Sequence, residues 1–107
     1  MGLFDGLRRR RRASGVRRQD PKSSAYLASW TAEHRGVEGF VEPRTTVTET
    51  TVVLVAHDGE WTRRRITESG ARDLGKRLSI PMYDVKKVGY PQRMRDYTAR
   101  LAREQQR

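Results

Sequence analysis

The chain has no cysteine and only two histidines. It also has no apolar run near the roughly 20 residues that span a bilayer as a helix. Each absence closes a class of chemistry. Without cysteine there are no disulfides, no Cys-ligated zinc, no iron–sulfur cluster and no thiol nucleophile. His34 and His57 stand apart from any carboxylate at metal-ligand spacing. His34 falls near a predicted helix C-terminus, where the dipole favours a cation. His57 adjoins a predicted turn, where a polar side chain is simply solvated. Phosphate-cradling loops are missing too: Gly36-Val37-Glu38-Gly39 and the segment from Gly70 to Gly75 match neither the dinucleotide fingerprint nor the P-loop. A signal peptide places its charges before its apolar stretch, and here that order is reversed. Myristoylation calls for Ser or Thr at the sixth position, which holds Gly6. The expectation is a cytoplasmic, non-enzymatic protein with no cofactor and no small-molecule substrate.

What the chain has is positive charge. Its 107 residues carry 23 basic and 13 acidic side chains, a net of +10. Residues 1–20 hold seven arginines against Asp5 and Asp20, and the other 87 residues hold 16 basic and 11 acidic groups, so each part contributes +5. Such a balance favours a polyanionic partner and electrostatically steered encounter. All but Lys22, Lys76, Lys86 and Lys87 of the basic residues are arginine. The guanidinium fork suits phosphate geometry, although a GC-rich genome produces the same preference.

Arginine is most concentrated at the N-terminus. The apolar heptad Met1 to Leu7 is followed by Arg8, Arg9, Arg10, Arg11 and Arg12, and then by Arg17 and Arg18. Five permanently charged neighbours repel one another and cannot enter a core. Residues 1–19 therefore read as a disordered basic arm. Its partner could be the phosphates of RNA or a ribonucleoprotein. Leu3, Phe4 and Leu7 would also share one helical turn, the pattern of a short membrane-surface anchor with polybasic support. A solvated tail without a role is the plain alternative.

Residues 20–107 read as one small α+β domain, an antiparallel sheet with a central β-hairpin packed by two to three helices. Asp20-Pro21 opens a helix running to about His34. Val37 to Val41 reads as a short strand, and Thr45 to Ala56 as a long one dense in β-branched residues. Asp58-Gly59 predicts a two-residue turn, with Ala56 facing Trp61, Leu54 facing Arg63 and Val52 facing Arg65. Both hairpin faces are partly apolar, so the pattern leaves open which one meets the helices. A second helix follows a Thr67 or Ser69 cap with Ala71, Leu74 and Leu78 along one side. Met82 to Val88 reads as a strand closed by Gly89, and Pro91 opens the last helix.

Two clusters in this body combine basic and aromatic residues. Trp61, Arg63 and Arg65 share one strand face, where a ring can stack on a base while guanidiniums hold phosphates. The competing reading puts Trp61 in the core with the arginines snorkelling to solvent. Lys86, Lys87, Tyr90, Arg93 and Arg95 gather at a helix N-terminus suited to a phosphate, or form the ordinary charged rim of a tight turn.

The stretch from Val41 to Arg65 (VEPRTTVTETTVVLVAHDGEWTRRR), with Ile80 to Val85 (IPMYDV) and Val88 to Tyr97 (VGYPQRMRDY), resembles a family of small uncharacterised actinobacterial proteins. The resemblance covers about residues 37–97 and leaves out the arm and the tail. It implies a bacterial cytoplasmic setting. Members are sometimes labelled oxidoreductases, and the resemblance brings no catalytic residue with it.

Overall fold

The computed structural model of the chain describes residues 21–106. The expected arm, with Leu3, Phe4, Leu7, Arg8 to Arg12, Arg17 and Arg18, lies outside them, as does the Asp20 cap. The architecture follows from the run Val52-Val53-Leu54-Val55, all four of which are fully buried. Successive strand residues point to opposite faces, so a strand apolar at every position must be covered on both sides. Strand β2 (Thr51–Val55) is accordingly central. It lies between β1 (Glu38–Glu42) and β3 (Trp61–Arg65), with β4 (Met82–Asp84) beyond β1.

Four helices complete the fold: α1 (Pro21–Ala32), α2 (Glu68–Leu78), the single turn α3 (Val85–Val88) and α4 (Gln92–Gln105). Leu27 and Trp30 of α1, with Ala71 and Leu74 of α2, pack on the face that carries Val52 and Leu54. Met94 of α4 packs on the other face against Phe40, Val53 and Val55, flanked by Trp61, Val85 and Tyr90. The class is α+β, as expected. Helices lie on both faces, which answers the question the hairpin pattern left open.

The sheet is mixed rather than wholly antiparallel. β2 runs antiparallel to both neighbours, whereas β4 pairs parallel to β1 through Gly39–Met82, Phe40–Tyr83 and Val41–Asp84. Parallel strands need a crossover, and α2 supplies it by carrying the chain from β3 across the sheet to β4.

Three local expectations are corrected, each for a turn-chemistry reason. The hairpin loop has three residues, His57-Asp58-Gly59, closed by Gly59 N–H donating to the Ala56 carbonyl (3.0 Å) and Ala56 N–H to the Glu60 carbonyl (2.8 Å). Gly59 takes φ +95°, and Asp58 Oδ1 accepts from Glu60 N–H. An Asp-Gly pair serves this bulged loop as well as the two-residue turn. The register therefore moves by one: Val55 opposes Trp61, Val53 opposes Arg63 and Thr51 opposes Arg65. Trp61, Arg63 and Arg65 still share a face, but it is the α4 face with Val53 and Val55, not the face of Val52 and Leu54.

β2 does not reach back to Thr45. Thr45 Oγ1 accepts from the backbone N–H of Val47 and Thr48, a local turn that competes with the ladder. Met82 to Val88 is not one strand either. Asp84 Oδ1 accepts from Lys86 N–H at 2.8 Å, capping α3 and ending β4. Elsewhere the boundaries are close to expectation: Thr67 caps α2 by accepting from Gly70 N–H at 3.0 Å, and α1 ends at Ala32, two residues before His34.

Gly59 also docks the hairpin on α4. A Cβ there would stand 2.0 Å from the Arg93 carbonyl oxygen and 2.9 Å from Tyr97 Cβ, whereas at Gly89, also at positive φ, it would meet nothing within 4 Å. Gly89→Ala should cost about 1–3 kcal/mol from backbone strain alone, because φ 72° with ψ −179° is a conformation open essentially to glycine. Gly59→Ala should lose roughly 1–3 kcal/mol more, because α4 must move away. Equal losses for the two variants in chemical denaturation would mean that the hairpin does not press on α4.

Candidate functional site

Glu42, the last residue of β1, joins the two basic-aromatic clusters. Its register partner is Thr51, which places the carboxylate on the α4 face within reach of β3. Arg63 Nε donates to Oε1 at 2.8 Å and an Arg63 terminal nitrogen donates to Oε2 at 2.9 Å. The Thr51 hydroxyl donates to Oε1 as well. The Tyr90 hydroxyl donates to Oε2. Burial opposes ionisation of this carboxyl, but the hydrogen bonds from Arg63, Thr51 and Tyr90 outweigh it and hold Glu42 below the usual carboxylate range. Tyr90 is pushed up in turn, first by burial and then by its bond to Glu42.

Trp61 is drawn into the same packing. Its indole N–H donates to Thr98 Oγ1 at 3.1 Å, its ring rests against the α4-side core, and the Arg63 guanidinium lies 5.3 Å from the ring centroid. Arg93 donates to the Ala56 carbonyl (2.9 Å), to Glu38 Oε1 (2.7 Å) and to the Val55 carbonyl (3.3 Å). Arg95 donates to the Tyr90 carbonyl at 3.1 Å. Trp61, Arg63, Tyr90, Arg93 and Arg95 thus meet on one face. There Arg63 and Arg93 are matched by Glu42 and Glu38 and fasten α4 and the Tyr90 turn to the sheet. Lys86 and Lys87 stand exposed on α3, apart from this network.

Two exposed cations of β3 are left open, Arg65 on the α4 face and Arg64 on the opposite one. Arg64 and Arg65 are exposed, and neither has a carboxylate partner among the described residues. The Arg64 guanidinium lies 3.7 Å over the centre of the Tyr26 ring of α1. Ser24, two residues before Tyr26 and so on a different side of α1, accepts through Oγ from Arg77 of α2 at 3.0 Å. Pro21, the first residue of α1, precedes Tyr26 by five residues, about 7.5 Å along a helix. The basic segment of residues 1–20 therefore joins the body in sequence beside an edge strand of three consecutive arginines. Sequence reading passed over Tyr26, Arg64 and Arg77, whose partners are remote along the chain. Charge on an edge strand also discourages pairing with another chain.

The histidines hold the positions expected of them. His57 is exposed in the hairpin loop. His34 follows α1, stacks on Trp30 with 3.7 Å between ring centroids, and sets Nδ1 2.6 Å from the Trp30 carbonyl and Nε2 3.2 Å from Glu60 Oε1. Burial lowers its pKa, but these two acceptors and nearby Asp58 raise it by more. Among the described residues no group of three or more His, Asp or Glu could hold a metal ion. No helix among them is long and apolar enough to cross a membrane.

Two pH tests follow from these contacts. A carboxylate with a lowered folded pKa adds stability above its usual 4.5, and that stability is lost as pH falls through the folded value. Glu42→Gln should therefore be about 2 kcal/mol less stable than wild type near neutrality, with the gap closing in acid. A gap constant down to about pH 3 would contradict the network. His34 has the opposite sign: its contribution is full below the usual 6.5 and fades as pH rises through the raised value. The melting-temperature advantage of wild type over His34→Gln should shrink from pH 6 to pH 8, and an advantage that grows would show that His34 is not charged in the fold.

No family model matches the chain, and neither a curated protein nor a solved structure matches it.

Proposed function

We propose that this chain is a non-enzymatic accessory protein that binds a polyanion, RNA or a ribonucleoprotein such as the ribosome. The observation that carries the reading is the position of the open cations. Arg64 and Arg65 are open on the β3 edge, and Arg64 lies over Tyr26 of α1, the helix that follows the arginine-rich N-terminal segment in sequence. Arg8 to Arg12, Arg17 and Arg18 reach along phosphates while the β3 edge docks. Lys86 and Lys87, with Arg95 near by, offer further phosphate contacts at the Tyr90 turn. Arg63, Arg93, Trp61 and Tyr90 serve chiefly by holding the body rigid, since their polar groups are engaged internally. Binding of this kind is dominated by counterion release and so weakens steeply with salt.

A second reading rests on the apolar side chains Leu3, Phe4 and Leu7 just ahead of the arginines. In it the chain is an adaptor on an anionic membrane that presents its body to a protein partner.

The full chain is to be co-sedimented with single-stranded RNA, ribosomes and anionic vesicles in parallel. Replacing Arg8 to Arg12 with glutamine should weaken RNA binding and flatten its log–log salt slope by about 3.5, at roughly 0.7 per phosphate contact on a single strand. An unchanged slope would remove the arm from the interface. Leu3→Asp with Phe4→Asp should reduce RNA affinity only slightly. Strong vesicle pelleting that this double change abolishes, without RNA pelleting, would favour the adaptor.

A further inference from the structure

Among the described residues Tyr26 and Arg64 make the tightest arginine–ring contact, 3.7 Å against 5.3 Å for Arg63 on Trp61 and 5.6 Å for Arg100 on Tyr97. Arg63 and Arg93 end on carboxylates, whereas Arg64 ends on an aromatic ring. Three contacts fix it. The Tyr26 hydroxyl and Thr62 Oγ1 lie 3.0 Å apart, which holds the ring along the edge strand. The guanidinium carbon of Arg64 sits 3.7 Å from the ring centroid. An Arg64 terminal nitrogen also donates to the Arg63 carbonyl at 2.8 Å. A side chain that is ordinarily free in its rotamers is thus held by its end as well as its root.

Both partners nevertheless remain at the surface, Tyr26 with 37% of its area accessible and Arg64 classed as exposed. One side of the guanidinium is covered by Tyr26. The opposite side and the remaining N–H groups have no partner among the described residues. A charged plane held in this way is matched by a ligand that offers both a π-face and an anion. An unpaired nucleotide offers both: its base stacks on the guanidinium, and its phosphate accepts from the N–H edge. In a duplex each base face is already occupied by its neighbours, and phosphate alone is within reach.

We infer that Tyr26 and Arg64 form a base-stacking site for single-stranded nucleic acid. The inference rests on the polyanion reading above and adds a ligand class to it: an unpaired strand is preferred to a duplex. It also moves the stacking role from Trp61, whose indole N–H is tied to Thr98 and whose ring packs on the α4-side core, to the opposite face of the same strand.

The test uses the full chain and three probes of equal length and charge per strand at one salt concentration: a single-stranded oligoribonucleotide, its duplex, and a strand with abasic positions. Wild type should prefer the single strand. Arg64→Lys, which keeps the charge and loses the plane, should weaken single-strand binding about tenfold, within the range for one lost base stack. It should leave duplex and abasic binding within about twofold of wild type. Tyr26→Phe keeps the ring and should bind nearly as wild type, while Tyr26→Leu should behave like Arg64→Lys. Arg64→Lys changes an exposed edge position, so a folded variant is expected, and circular dichroism checks it. Equal losses on all three probes would make Arg64 an ordinary phosphate contact and overturn the stacking site, with the polyanion reading intact. Undiminished single-strand binding by Arg64→Lys would overturn the site in the same way. Failure of wild type to bind any of the probes would overturn both.

Discussion

The constraint on which the rest depends is the two-sided burial of β2. Val52 and Leu54 point to one face and Val53 and Val55 to the other, and none has any accessible surface. At about 25 cal/mol per Å² of apolar area removed from water, neither pair can be left exposed in so small a domain. Helices α1 and α2 therefore close one face and α4 the other. With both faces occupied, the sheet keeps free surface chiefly at its edges. β4, three residues long, makes one edge, and the arginine strand β3 makes the other.

The arginines of that strand divide by face. Arg63 points to the α4 side, where it meets Glu42 and becomes part of the scaffold. Arg64 points to the α1 side, where it meets Tyr26 and keeps its charge available. The alternation of a strand thus separates a structural guanidinium from an open one at adjacent positions. Net charge is a poor guide to such a surface: the cations matched by Glu38 and Glu42 add little to the outward field, and the unmatched ones dominate it.

Much of the fold was legible because local chemistry specified it. Thr67 reads as a cap and is one, and the β-branched run at Val52–Val55 reads as a strand and is one. The errors fell where one local signal serves two structures. Asp58-Gly59 suits both a two-residue and a three-residue loop, and that single residue moved the hairpin register. Asp84 was hidden in a strand-like run until its side chain was seen to cap α3. The site was less legible than the fold. Glu42 finds Arg63 21 positions away, Glu38 finds Arg93 55 away, and Tyr26 finds Thr62 36 away. No periodicity brings such residues together. The sequence clusters around Trp61 and Tyr90 were real as a neighbourhood, but the carboxylate joining them was invisible among thirteen acidic residues.

The central claim is that the open side of the β3 edge, next to the start of α1, is where a polyanion meets the body. It is tested most directly by an NMR titration of the full chain with single-stranded RNA, following backbone amides and the arginine side-chain Nε–H signals. The largest shifts in the body are expected on Tyr26, Thr62 and Arg64, which lie together, while the Arg63 and Arg93 Nε–H signals, held by Glu42 and the Ala56 carbonyl, move little. Saturating RNA that shifts none of residues 61–65, or whose largest body shifts lie on β4, would contradict it.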